Sequence, residues 1–215
     1  MQKKKRNRTK ITSPTHYSIK YATMYSLMLN YEVLYMEYIG DVFYDYGSGL
    51  YANITNRCPC RCEFCIREMV DALGSADSLW LKREPTLEEI KELLNEWDLR
   101  YFGELVFCGY GEPTERLSDL LEVAKYAKKK KPSLKIRINT NGLSDLINGR
   151  DTTEDLRGIV DAVSISLNDM SAEDYMNLCH PKFGIGSYDA ILDFARRVKN
   201  VVPDVTMSVV SGGIP

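Results

Sequence analysis

The sequence predicts an open, parallel α/β sheet, and three observations predict it. Short β-rich runs recur at 50–55, 104–108, 134–140, 162–167 and 205–210, helical patterns fall between them, and glycine or polar residues follow the runs. Strands that alternate with helical stretches read as βαβ units and a parallel sheet. A chain of 215 residues holds one sizeable core. One domain is therefore expected over 41–215, with 1–40 as a poorly defined, basic and tyrosine-rich N-terminal extension.

The elements can be justified in order. After the first run, Thr86 and Glu89 have the spacing of a capping box, and Leu87, Ile90, Leu93, Leu94 and Trp97 fall on one helical face. After the second run, Leu117, Leu120, Leu121, Ala124 and Ala127 do the same, and Pro132 ends that helix. Its last turn carries Lys128 to Lys131, where positive charge suits the helix dipole. The third run places Arg137, Asn139 and Asn141 on one face and Ile136 and Ile138 on the other. In the fourth, Ser164, Ser166 and Asn168 oppose Val163, Ile165 and Leu167. A parallel strand covered by helices has no wet face except inside a site, so these polar residues read as site residues. Ile191, Leu192, Phe194, Ala195 and Val198 mark a last helix before the fifth run.

Composition excludes more than it identifies. With 44% hydrophobic and 27% charged residues and a net charge of -2, the chain is an ordinary globular one without a nucleic-acid signal. The basic start resembles a signal n-region, but His16, Lys20, Asn30 and Glu32 break the stretch after it, and no segment is long and apolar enough to span a bilayer. Of six cysteines, four crowd between Cys58 and Cys65, a pattern of metal binding rather than of disulfides. A reducing, cytoplasmic setting is expected.

In parallel α/β folds the chemistry sits at the carboxyl ends of the strands. There Cys58, Cys62 and Cys65 form C-x3-C-x2-C, spacing that lets a short loop hold three corners of an iron-sulfur cubane and leave the fourth iron open. Zinc is the competing occupant, but four thiolates within eight residues would strain to surround one ion tetrahedrally. Cys60 fits neither pattern as a required ligand. A closed electron-transfer cluster or a zinc-stabilised binding module leaves Glu112 and the polar strand ends without a purpose.

This loop, with Phe64 before its last cysteine, resembles the radical S-adenosylmethionine superfamily. The stretches LYANITNRCPCRCEFCIR, VFCGYGEPT, IRINTNGLSDLINGRD and HPKFGIGSYDAILDF are similar to those of its TatD-associated proteins. The resemblance implies a partial parallel barrel and a 4Fe-4S cluster on Cys58, Cys62 and Cys65. It also implies S-adenosylmethionine as cosubstrate, and an electron donor such as flavodoxin or ferredoxin. Gly109, Gly111 and Glu112 would receive the methionine amino group, with Tyr110 as a departure between the glycines. Asn139 and Asn141 would meet ribose or carboxylate, and Phe64 the adenine. Reductive cleavage would give a 5'-deoxyadenosyl radical that takes hydrogen from an unidentified substrate. A small activase or a deazapurine synthase is an alternative within the superfamily. Members usually build six parallel strands and five are counted here, so the barrel is expected to stop short after the fifth, leaving 205–210 as an uncovered edge. Cys179 and His180 read as packed turn residues, and Cys108 as a small buried hydrophobe.

Overall fold

The computed structural model describes residues 39–210, so residues 1–38 of the N-terminal extension lie outside the described residues, while Ile39 is buried in the core. One sheet of six strands runs in the order β1-β2-β3-β4-β5-β6. Its strands are β1 (Phe43–Tyr46), β2 (Gly49–Ala52), β3 (Glu104–Phe107), β4 (Lys135–Thr140), β5 (Ala162–Asn168) and β6 (Asp204–Val209). From β2 to β6 every neighbouring pair is parallel, which matches the five expected strands. The sheet stays open, as expected of a partial barrel.

One strand was not expected: β1 precedes the five parallel strands and pairs antiparallel with β2. The reason is local. Gly47 and Ser48 form a two-residue hairpin turn with Gly47 at a φ of 60°, a conformation glycine adopts without steric cost. Phe43 and Tyr44 are buried by the pairing.

Helices α1 (Leu87–Asn95), α2 (Leu117–Lys130), α3 (Ser144–Asn148), α4 (Ala172–Cys179) and α5 (Gly186–Val198) fill the crossovers. The capping box forms: Thr86 accepts from the Glu89 backbone N–H at 3.2 Å, and Glu89 accepts from that of Thr86 at 2.8 Å. The core joins Leu50, Leu105, Ile136, Ile138, Val163 and Ile165 of the sheet to Ile90, Leu94, Leu120, Ala124, Ile191 and Phe194 of the helices. Each large aliphatic side chain so buried contributes about 1.5–3 kcal/mol. Lys131 reaches the carbonyls of Leu99 and Phe102 at 3.2 and 2.6 Å, so the lysine run ties the end of α2 to the approach of β3. On β6 most side chains are exposed, Met207 and Val209 among them. Among the described residues no helix is long and apolar enough to cross a membrane.

Candidate active site at the cysteine loop

The cysteine loop leaves β2 through Asn53, whose buried side chain donates to the carbonyls of Asp41 at 3.2 Å and Leu79 at 2.7 Å. The end of β3 lies directly on this root. A Cβ on Gly109 would stand 2.1 Å from Asn53 Oδ1, and one on Gly111 would stand 2.3 Å from the Thr55 carbonyl oxygen. Only glycine permits so close an approach, to a side chain at Gly109 and to backbone at Gly111. The Glu112 N–H then donates to the Arg57 carbonyl at 2.8 Å, locking turn to loop.

On its other side the loop docks on α4. Helix termini leave their last carbonyls without intrahelical partners. Here the Cys179 and Leu178 carbonyls accept from the N–H groups of Arg61 at 3.0 Å and Glu63 at 3.1 Å, and the Lys182 N–H returns to the Pro59 carbonyl at 2.8 Å. His180 caps α4 at a φ of 44°, and its Nε2 meets Glu63 Oε1 at 3.3 Å.

Cys58, Cys62 and Cys65 are half-buried, whereas Cys60 and Cys179 are buried. Hydrogen bonding from Cys60 holds the Cys58 thiol below its usual range, and hydrogen bonds from Cys179 and Cys60 do the same for Cys62. Cys60 and Cys179 are pushed upward as the proton-holding partners, and burial raises Cys65. Cys62 Sγ also lies 3.9 Å from the Cys179 carbonyl. Among the described residues no three His, Cys, Asp or Glu side chains converge as a ready metal site. Cys58 and Cys62 are hydrogen-bonded to Cys60 instead. In donor type and spacing Cys58, Cys62 and Cys65 suit an iron-sulfur group, given side-chain rotation on a loop whose backbone is anchored at both ends.

Glu112 is 4% exposed. Its Oε1 accepts from Thr114 N–H at 3.1 Å and from the hydroxyls of Thr114 and Thr140, each at 2.7 Å, while among the described residues Oε2 accepts only from Asn141 N–H at 2.7 Å. Burial raises its pKa and these four donors oppose the rise. Asn141 carries the link onward, with its Nδ2 3.9 Å from the sulfurs of both Cys58 and Cys60.

Asn139 is buried at its amide oxygen, which has no hydrogen-bond partner among the described residues. Its amide also hydrogen-bonds the Cys108 thiol, which desolvation pushes up to about 11. An unsatisfied buried acceptor at a strand's carboxyl end suits a ligand bearing hydroxyl or amine groups. Ser164 and Ser166 are half-buried on β5. Asn168 does not continue their row: a bulge between Ser166 and Asn168 interrupts the alternation, Asn168 takes a φ of 67°, and its Nδ2 reaches Cys179 Sγ at 3.3 Å. Phe64 packs against the core.

The structure thus brings Glu112, Asn141 and the thiol loop together and turns Asn168 toward α4. Asn53, Thr114 and Thr140 complete the site without having been expected, since their role depends on partners far away in sequence.

The sequence model of the Radical SAM superfamily matches residues 52–215. The chain belongs to that superfamily. Among solved structures it is similar to one described as "Structure of TYW1 with a lysine-pyruvate adduct bound", with a TM-score of 0.50 and 15% identity over 77% of this chain and 56% of that chain. At that identity the likeness is one of fold, and this chain spans little more than half of the other. No curated protein matches the chain.

Proposed function

We propose that this radical SAM chain holds a 4Fe-4S cluster on Cys58, Cys62 and Cys65 and uses it on S-adenosylmethionine, in the manner of the TatD-associated proteins it resembles. When bound and reduced by a donor such as flavodoxin or ferredoxin, cluster and cosubstrate together supply methionine and a 5'-deoxyadenosyl radical that takes hydrogen from a substrate. The turn of Gly109, Gly111 and Glu112 receives the methionine amino group. Oε2 of Glu112, with a single hydrogen bond, keeps acceptor capacity for an ammonium, and a cation there would hold the carboxyl ionised. Asn139 offers its free amide oxygen, Ser164 and Ser166 their hydroxyls, and Phe64 an apolar wall for adenine.

One observation carries this reading: Asn141, whose N–H is held by Glu112 and whose amide stands at the Cys58 sulfur, joins the cosubstrate turn to the thiol loop. The test is anaerobic reconstitution with iron and sulfide, reduction with dithionite, and chromatography for 5'-deoxyadenosine after adding S-adenosylmethionine. Its formation is expected. A protein that keeps the cluster and forms none is an electron carrier instead.

A further inference from the structure

A cavity of about 550 Å³ opens beside Cys58, between the cysteine loop and the end of α4. Pro59, Met176 and Pro181 give it apolar walls, Arg61 and Lys182 give it positive charge, and the His180 imidazole also lines it. Among the described residues no acidic side chain lines it.

Arg61 is the unusual member. Eleven arginines lie among the described residues, and all but Arg61 are ion-paired with a carboxylate. The Lys182 ammonium likewise has no carboxylate among the described residues and stands over the Phe183 ring at 5.6 Å. Glu63, the nearby acid, is taken up by His180. In a chain whose other described arginines are all neutralised, an open guanidinium with an ammonium beside it on one cavity marks a place kept for an anion from outside.

The two are also held in position. The Arg61 N–H is fixed on the Cys179 carbonyl, and the Lys182 N–H on the Pro59 carbonyl, so each residue is anchored through its backbone, one on the end of α4 and the other on the cysteine loop. A guanidinium presents a planar fork that matches the two oxygens of a carboxylate or phosphate, and an ammonium adds a point charge.

We propose that this cavity binds the oxyanion group, carboxylate or phosphate, of the substrate, with Arg61 as its fork and Lys182 as its second charge. The apolar walls take the adjoining carbon skeleton, and the place beside Cys58 brings that skeleton to the thiol loop. The word substrate rests on the radical reading of that loop, whereas the anion site rests on the cavity alone.

Equilibrium dialysis of the full-length chain against radiolabelled phosphate and, separately, radiolabelled acetate tests this without S-adenosylmethionine or turnover. Saturable binding of at least one anion is expected, and which one is retained tells a phosphate-bearing from a carboxylate-bearing substrate. Arg61→Gln should weaken it about tenfold or more, and Arg61→Lys less, because charge survives without the fork. Circular dichroism of the same samples checks their fold, and Lys182→Gln gives a second variant should Arg61→Gln fail to fold. Absence of saturable binding to the unmodified chain, or equal affinity in an Arg61→Gln/Lys182→Gln variant, overturns the inference. Formation of 5'-deoxyadenosine alongside that result would overturn the anion site alone and leave the radical reading standing.

Discussion

The two ends of the sheet treat polar groups in opposite ways. Where the strands begin, charges close on one another: Arg137 meets Glu104 at 2.9 Å, Lys128 meets Asp161 at 2.7 Å, and Asp161 also accepts from the Ile136 N–H. Where the strands end, Glu112 is buried, the Asn139 amide oxygen has no partner and Arg61 has no carboxylate among the described residues. Buried or unmatched polar groups cost stability, and a fold tolerates them where they serve function. The beginning of the sheet is therefore read as structure and its end as chemistry.

The largest expected effect breaks the chemical end outright. Cys58→Ala, Cys62→Ala and Cys65→Ala should each lose the cluster, since two remaining thiolates hold a cubane poorly, whereas Cys60→Ala should keep it. The directions of the thiol pKa values agree for Cys58, Cys62 and Cys60, but burial acts the other way at Cys65. Iron content and visible absorbance after reconstitution decide the matter. Loss in Cys60→Ala with retention in Cys58→Ala would reverse the ligand assignment.

A smaller effect is expected at Glu112, which belongs to both binding and stability. Glu112→Ala strands the donors of Thr114, Thr140 and Asn141, at about 1–3 kcal/mol for each that stays dry, and should weaken S-adenosylmethionine binding about tenfold or more. Calorimetry with the cosubstrate reads the second effect. Because burial raises the Glu112 pKa above its ordinary 4.5 in the fold, the folded state holds that proton more tightly than the unfolded chain. Its contribution is complete below the ordinary value and is lost as pH rises through the folded one. Glu112→Gln, which cannot ionise, should flatten the fall in urea midpoint as pH rises above the ordinary carboxylate value. Parallel pH profiles for the two proteins would refute the assignment.

How far each end was legible depends on the range of its interactions. The helices of 87–95 and 117–130 were readable because their apolar positions repeat within a few residues and their ends carry local signals, Thr86 with Glu89 and Pro132. The hairpin of β1 was missed although Gly47-Ser48 between aromatic runs is a turn signal, because the tyrosine-rich approach obscured the alternation. Cys58, Cys62 and Cys65 were legible as a local spacing. The reason for Gly109 and Gly111 was not, since the atoms that forbid a side chain belong to Asn53 and Thr55, more than fifty positions away. The same holds for Cys179, whose carbonyl holds the loop from far along the chain. Asn168 misled because a bulge, invisible to a period of two, turned it from its neighbours.

The smallest expected effect lies at the structural end. Lys128 and Asp161 form an ion pair whose side chains are about a quarter and a third exposed, so water and salt screen it. Lys128→Met keeps the methylene stem on α2 and removes the charge, while Asp161 retains the Ile136 N–H at 2.7 Å. The loss should be at most about 1 kcal/mol, read as a lower urea midpoint with an unchanged slope, and it should shrink as ionic strength rises. Cluster content should not move, since no hydrogen bond at this end reaches the cysteine loop. If Lys128→Met instead lowered iron content as Cys58→Ala does, the two ends would be coupled through β4, and the division between a closed structural end and an open chemical end would have to be given up.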